Sequence, residues 1–384
     1  MSLDVLRGFA LAGVLFMFCV NDIGAPAKYA NSFLDDLIAW PKWILIEGRM
    51  YTMLVLIFGI GFHVQLKKAK QHDALLAPVF LRRLIGLLVI GFIHAILLST
   101  RDILMFYGVA GFVLLLVGNA SNRLLLIIML FLFILLITPV IPLSFGNPWR
   151  HARDLVQPNN YADHVQYNWE YFKFKHQAYT IYVEMAFHFL LGFWISRVGL
   201  WQKLKTDKKL RRTLLIISLA SGVVLIPVYY FWINGDGTQH LFRQGNALQR
   251  FLANTFVGLV YQLWMMASAI IYSMLLINLS VSTQKRKWLR PLAAFGQMAL
   301  SNYLVQSLVL VPYVLIFDKF DNLPPFNGLI LFIPVFALQL LFSNWWMSRY
   351  KLGPFEWLLR SITYWNWQEL RKAQPQTIPN RETL

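Results

Sequence analysis

The chain has 384 residues, of which 58% are hydrophobic and only 14% charged, and its mean hydropathy is +0.53. A soluble domain carries roughly 45 to 50% apolar and about 25% charged residues, so this composition excludes a soluble enzyme with an ordinary polar surface. The formal net charge of +17 would suit nucleic acid, but Lys and Arg fall in short clusters between apolar runs and form no continuous basic face, so no nucleic-acid partner is expected.

A helix needs about 20 mostly apolar residues to cross a hydrocarbon core of ~30 Å. Ten stretches qualify, roughly 5–22, 43–66, 80–100, 102–118, 123–143, 178–196, 213–233, 251–279, 293–317 and 328–347. The pattern predicts an all-α fold, a polytopic integral membrane helical bundle of about ten transmembrane helices. Its transmembrane domain covers 1–350 and a cytoplasmic tail covers 351–384. Asp4 and Arg7 precede the apolar part of the first run without forming a basic n-region, and no small-residue cleavage site follows it, so it reads as a retained helix. Cys19, the one cysteine, lies inside that run and reads as a packing residue.

Threading the ten helices alternately puts the densest basic clusters, Lys67-Lys68-x-Lys70, Lys208-Lys209-x-Arg211-Arg212 and Lys285-Arg286-Lys287, on the side that holds both termini. By the positive-inside rule that side is cytoplasmic. Two segments of the opposite side stand out. Residues 24–42, with Asp35, Asp36 and Trp40, suit a helix lying in the interface. Residues 144–177, with His151, His164, His176, Trp149 and Trp169, suit a cap over a cavity or an ordinary wet loop.

Ionisable groups at membrane depth are expensive, roughly 2.5 to 3.5 kcal/mol each on insertion scales, and normally face a cavity or a partner. On the outer halves lie Asn21 and Asp22, Glu47 and Arg49, His94, Asp102 and Tyr107, and Glu184 and His188. His94 and Asp102 flank one hairpin turn. A carboxylate beside an imidazole orients the ring and raises its basicity, as a general base requires. Glu184 and His188 are four apart on one helical face and form a second candidate pair. Arg49 suits either a salt bridge with Glu47 or an anion. On the inner side, Arg7 pairs with Asp4 one turn away, and Arg82 and Arg83 open the third helix. These suit a phosphate-bearing cofactor or a lipid headgroup, or simple snorkelling. Ser301, Asn302, Gln306 and Ser307 line the ninth helix as a polar stripe of the kind that glues helices together. Phe58-Gly59-Ile60-Gly61-Phe62 reads as a close-packing glycine pair, not a dinucleotide fingerprint. No Walker loop, metal signature or nucleophile elbow is present, and no metal is expected.

The runs Leu3-Asp4-Val5-Leu6-Arg7-Gly8, Gly91-Phe92-Ile93-His94-Ala95 with Asp102-Ile103-Leu104, Gly296-Gln297-Met298-Ala299-Leu300-Ser301-Asn302 and Gly353-Pro354-Phe355-Glu356-Trp357 together resemble the YeiB-like membrane proteins. Their C-terminal region, about 213–365 here, is a domain of unknown function numbered 418. That family is similar to the transmembrane acyltransferase superfamily. The resemblance implies a multi-pass protein of the bacterial cytoplasmic (inner) membrane, with an acyl group moved from a cytoplasmic acyl-CoA to a lipid or glycan acceptor on the outer face. In that reading His94 is the base and Asp102 orients it, Arg7, Arg82 and Arg83 meet the donor's phosphates, and Asn21, Asp22, Arg49, Tyr107, Glu184, His188, Asn302 and Gln306 line the acceptor path. Polysaccharide O-acetylases carry a His in the first helix where this chain has Met17 and Phe18, which leaves either His94 as the base or a site that does something else. Two other functions fit the residues: a transporter or permease for a small solute or anion, and a non-catalytic membrane scaffold.

Overall fold

The computed structural model describes residues 1–20, 33–70, 76–99, 102–139, 158, 160–175, 179–234, 244–282, 285–317 and 325–372. The described residues are organised as helices: α1 Ser2–Val20, α2 Phe33–Pro41 running into a π turn at Lys42–Ile46, α3 Arg49–Lys70, α4 Leu76–Leu97, α5 Leu104–Val117 and α6 Asn122–Ile137. There follow α7 Tyr161–Lys175, α8 Tyr179–Arg197, α9 Leu200–Thr206, α10 Lys208–Asn234, α11 Ala247–Val281, α12 Arg290–Gln297, α13 Ala299–Phe317, α14 Pro325–Arg349 and α15 Pro354–Tyr364.

Among the described residues six helices are long and apolar enough to cross a membrane, or up to eight if each of two bent pairs, α8 with α9 and α12 with α13, counts as one span. The protein is therefore a multi-pass helical membrane protein. The predicted fourth and fifth spans are the shorter apolar helices α5 and α6. At 1.5 Å per residue the 14 residues of α5 cover about 21 Å, less than a full hydrocarbon core. Many large apolar residues are left exposed on α4, α6, α10, α11, α13 and α14, as expected of surfaces that meet lipid.

Helices approach most closely where glycine removes a side chain. A Cβ on Gly8 of α1 would lie 2.2 Å from the Leu292 carbonyl oxygen, and one on Gly296 of α12 would lie 1.9 Å from that of Asp4. Gly59 of α3 and Gly192 of α8 make a second such crossing, each 2.1 Å by the same measure from a main-chain carbonyl of the other helix. This is small-residue packing of the kind helices use in membranes, where lipid tails compete equally for apolar contact. Only half of the expected pair in α3 takes part, since Gly61 has open space where a Cβ would go.

The connecting segments gather at two ends. At one, the Ser2 and Ser280 hydroxyls are 3.0 Å apart, Arg197 donates to the Ala120 carbonyl at 2.6 Å and Arg211 donates to the Asn278 side chain at 2.6 Å. At the other, Asp35 Oδ1 accepts the Phe326 N–H at 3.1 Å near the start of α14, and α7 lies against the end of α4. Within the segment expected to hold an interfacial helix, 24–42, the described part is α2, with Phe33, Leu37 and Trp40 exposed, and it runs into α3 as one 35-residue candidate span, Phe33–Lys67. The expected tail, 351–384, is described as far as residue 372. Residues 351–372 are folded onto the bundle, with Leu359 of α15 buried against Gly86 of α4 and Lys351 N–H bonded to the Leu370 carbonyl at 2.8 Å.

Candidate functional site

The site grows from the way α4 ends. The Leu98 and Ser99 N–H groups both fold back to the His94 carbonyl at 2.9 Å, and the Asp102 N–H reaches the Ser99 carbonyl at 3.2 Å, so Asp102 sits beside the last turn of α4. Asp102 Oδ2 accepts the Met105 N–H at 3.0 Å, satisfying one of the orphan donors at the start of α5. Its other oxygen, Oδ1, is 3.0 Å from His94 Nδ1. One carboxylate thus caps a helix and orients an imidazole.

The second ring nitrogen, Nε2, is 2.8 Å from Ser307 Oγ on α13. A carboxylate oxygen accepts, so in a neutral ring Nδ1 is the nitrogen that donates to Asp102 and Nε2 the one that accepts the serine O–H. The side chains form a line, Asp102, His94, Ser307, and all three residues are almost completely buried. Tyr303, one turn before Ser307, packs its ring 4.9 Å from the His94 ring and accepts the Ile103 N–H at 3.2 Å. Tyr107 stacks on Phe58 with ring centroids 4.5 Å apart. Its hydroxyl is buried without a hydrogen-bond partner among the described residues and within electrostatic reach of Asp102. Lys175, at the end of α7, donates to the Asp102 carbonyl at 2.7 Å.

Helix α7 seals this end. The last carbonyls of α4 lack intrahelical partners and are taken by Tyr161 Oη on Leu97 at 3.1 Å, His164 Nε2 on Leu98 at 3.0 Å and Asn168 Nδ2 on Ile96 at 3.1 Å. Burial lowers the His164 pKa below its ordinary 6.5, against the pull of its bond to Leu98. Of the residues singled out in the predicted 144–177 segment, Trp149, His151 and His176 lie outside the described residues.

The structure separates the other predicted site residues. Asn302 and Gln306 face α14 and not His94: Asn302 Nδ2 donates to Ser343 Oγ at 2.9 Å, Gln339 Nε2 donates to the Asn302 carbonyl at 3.0 Å and Gln306 Nε2 to Gln339 Oε1 at 3.3 Å. The polar stripe therefore splits, one edge gluing α13 to α14 and the other, Tyr303 and Ser307, meeting the imidazole. Glu184 and His188 do not pair through their side chains, because His188 Nδ1 instead donates to the Glu184 main-chain carbonyl at 2.9 Å. Arg49 makes no ion pair with Glu47, donating to the main-chain carbonyls of Glu47 and of Trp43, the latter at 2.7 Å. Asn21 and Asp22 lie outside the described residues.

At the far end of α4, Arg7 donates to Asp4 and to the Gly296 carbonyl, each at 3.3 Å, and Arg83 donates to Gln65 Oε1. Arg7 and Arg360 are within electrostatic reach of Arg83. Arg82 turns away and lies over the Trp365 ring, 5.6 Å from its centroid. Arg83 and His94 are eleven positions apart on α4, close to three full turns, so they share a face and are separated by about 16 Å along the axis. No group of three or more His, Cys, Asp or Glu suited to a metal occurs among the described residues.

Ser307, Arg360 and Glu356 were not expected to matter in this way. Glu356 accepts the Leu300 N–H at 2.6 Å and the Ser301 N–H at 3.2 Å, the orphan donors at the start of α13, and also the Ser301 hydroxyl. The sequence signal for Ser307 is its place in the polar stripe of the ninth predicted helix, which marks it as polar at membrane depth without naming its partner.

Residues 195–366 match a family described as "Protein of unknown function (DUF418)". The match runs from the end of α8 to just past α15. The chain is 27% identical to the uncharacterized protein YxaH of Bacillus subtilis (strain 168), over 96% of this chain and 95% of that protein. It is 26% identical to the uncharacterized protein YeiB of Escherichia coli (strain K12), over 97% of each. An uncharacterized 39.9 kDa protein from the amylase 3' region of Bacillus acidopullulyticus is 25% identical, over 94% of this chain and 93% of its own length. No solved structure matches the chain.

Proposed function

We propose that this chain, which carries the DUF418 region and resembles YxaH and YeiB along nearly its whole length, is an acyltransferase of the bacterial cytoplasmic membrane. It takes an acyl group from a cytoplasmic acyl-CoA and passes it to a hydroxyl-bearing lipid or glycan on the outer face. The observation that carries this reading is the line from Asp102 through His94 to Ser307, with contacts of 3.0 and 2.8 Å. Those contacts follow the logic of nucleophile, base and orienter. Any buried histidine needs a partner on each nitrogen; what favours a base here is the kind of partner, an acceptor-only carboxylate on one nitrogen and a hydroxyl, a latent nucleophile, on the other.

The chemistry follows from that polarity. His94 Nε2 takes the Ser307 proton as Oγ bonds to the thioester carbonyl carbon. The carbon–sulfur bond breaks, and the CoA thiolate leaves with the proton returned by His94. An acceptor hydroxyl, deprotonated by His94 in turn, attacks the acyl-serine and releases Ser307 protonated. Asp102 stabilises the imidazolium formed in each half, and burial strengthens that interaction by excluding water. Arg7, Arg83 and Arg360 are the groups suited to the donor's phosphates. Their position on the Arg83 side of α4, about 16 Å from His94 along the helix, is a span of the order of an extended pantetheine arm.

The test is the half-reaction. Purified full-length protein given acetyl-CoA or a longer acyl-CoA should release free CoA thiol and retain label on Ser307. His94→Ala should do neither while eluting as a folded protein. Undiminished thiol release by His94→Ala would sink the assignment.

A further inference from the structure

We propose that the Nε–Nη2 edge of Arg49 is the recognition element of an oxyanion-binding site, one that takes a carboxylate or phosphate attached to a flat or apolar body. Arg49 is 1% exposed. Its Nη1 is spent on the Trp43 and Glu47 carbonyls, while Nε and Nη2 are buried with no hydrogen-bond partner among the described residues. Those two unused groups are adjacent N–H donors on one edge of a planar guanidinium, and their parallel directions match two oxygens of a carboxylate or phosphate.

The cation also lacks a counter-charge. Among the described residues no carboxylate pairs with it within ion-pair distance, and Glu47, itself exposed, reaches it only through longer-range attraction. Burying an unneutralised guanidinium with two unmet donors is strongly unfavourable, and an arginine cannot shed its proton to escape. A bound oxyanion removes both penalties together. The guanidinium face is already provided for, lying 3.7 Å over the Trp264 ring, which leaves the edge as the part that seeks a ligand.

The surroundings define the rest of that ligand. Trp43 packs 5.3 Å from Trp264 and 5.9 Å from Tyr229, and Tyr261 and Tyr272 are within electrostatic reach of Arg49. Aromatic walls with phenol groups select a planar or acyl body over a hydrated ion. Arg49 is also the first residue of the 22-residue helix α3, whose positive end favours an anion. Gly48, at φ 78°, makes the left-handed bend that brings Arg49 under these rings. None of this depends on acyl transfer by His94.

The full-length protein in phosphatidylcholine nanodiscs is titrated with sodium benzoate, with neutral benzamide and with inorganic phosphate, and its thermal unfolding is followed. Benzoate should raise the midpoint saturably, benzamide should leave it unchanged, and Arg49→Lys, which keeps the charge and loses the fork, should weaken the benzoate response at least about tenfold. If nanodiscs containing phosphatidylglycerol raise the midpoint and shut out benzoate in wild type but not in Arg49→Lys, the oxyanion is a lipid phosphate at the same fork. Hydrogen exchange on the wild-type protein gives a readout independent of any variant: the anion should slow exchange over 42–52 and leave 118–121 unaffected. The proposal is overturned if no anion shifts the midpoint or the exchange, or if Arg49→Lys responds as wild type does.

Discussion

His94 and Ser307, separated by 213 positions in the chain, meet with Nε2 and Oγ 2.8 Å apart. The contact joins α4 to α13, so it forms only when the two ends of the sequence have assembled. Both half-reactions of the proposed transfer run through this pair. Ser307→Ala should therefore abolish acyl-enzyme formation and thiol release together. Asp102→Asn should leave acyl-CoA binding intact while lowering turnover by about 10²- to 10⁴-fold, the usual worth of a positioned base. Single-turnover assays with labelled acyl-CoA measure both.

The crossing of Gly8 and Gly296 gives a stability prediction. A methyl at either position would strike a main-chain carbonyl of the other helix, and neither helix can shift without disturbing the Arg7 contact to Gly296. Gly296→Ala should destabilise by about 1–3 kcal/mol, as overpacking generally does. Gly61→Ala, in open space within a helix, should be neutral or stabilising by a few tenths up to about 1 kcal/mol. Chemical unfolding in detergent monitored by tryptophan fluorescence separates the two.

His164 makes the α7 cap pH-dependent. Its pKa in the folded protein lies below the unfolded value of 6.5, so the folded state binds that proton less readily. The contribution is fully present above about pH 6.5 and is lost as pH falls through the lower folded pKa. Protection factors for hydrogen exchange over 161–175, corrected for the intrinsic pH dependence of exchange, should fall as pH is lowered from about 6.5 toward the folded value. His164→Gln, which keeps a donor and does not titrate, should flatten the dependence.

Glu356 should behave as a helix cap supplied from a distance. Replacing it with Ala leaves the Leu300 and Ser301 N–H groups without their acceptor, at a cost of about 1–3 kcal/mol. Glu356→Gln keeps one acceptor oxygen and should recover part of it. The measurement is the unfolding midpoint of each variant, with thiol release as a second readout through the position of Ser307.

Much of this architecture is legible in the sequence because membrane helices announce themselves by length and hydropathy; of the ten predicted runs, however, six to eight are candidate spans among the described residues, and the ninth is broken by a bend of 81° between α12 and α13. The His94–Asp102 pair is legible too, since a short hairpin forces its flanks together. The third member is not. Ser307 and Gln306 are neighbours in the same polar stripe, and only the packing of α13 between α4 and α14 decides that one meets an imidazole and the other a glutamine. Glu184 and His188 show the converse error, for a spacing of four puts two residues on one face but does not choose between a side chain and the main-chain carbonyl that spacing also offers. Residues 351–372 read as a polar tail because their anchor, a carboxylate on the N–H groups of α13, is a contact between segments more than 50 positions apart.

That anchor bears on how sidedness is to be measured. A reporter enzyme spliced in at Tyr350 would part Glu356 from the start of α13 and loosen the rod that holds Ser307, so its signal would describe a damaged protein. Fused after Lys372, beyond the strap that Lys351 and Leu370 close, the same reporter leaves the rod seated and reads the native orientation.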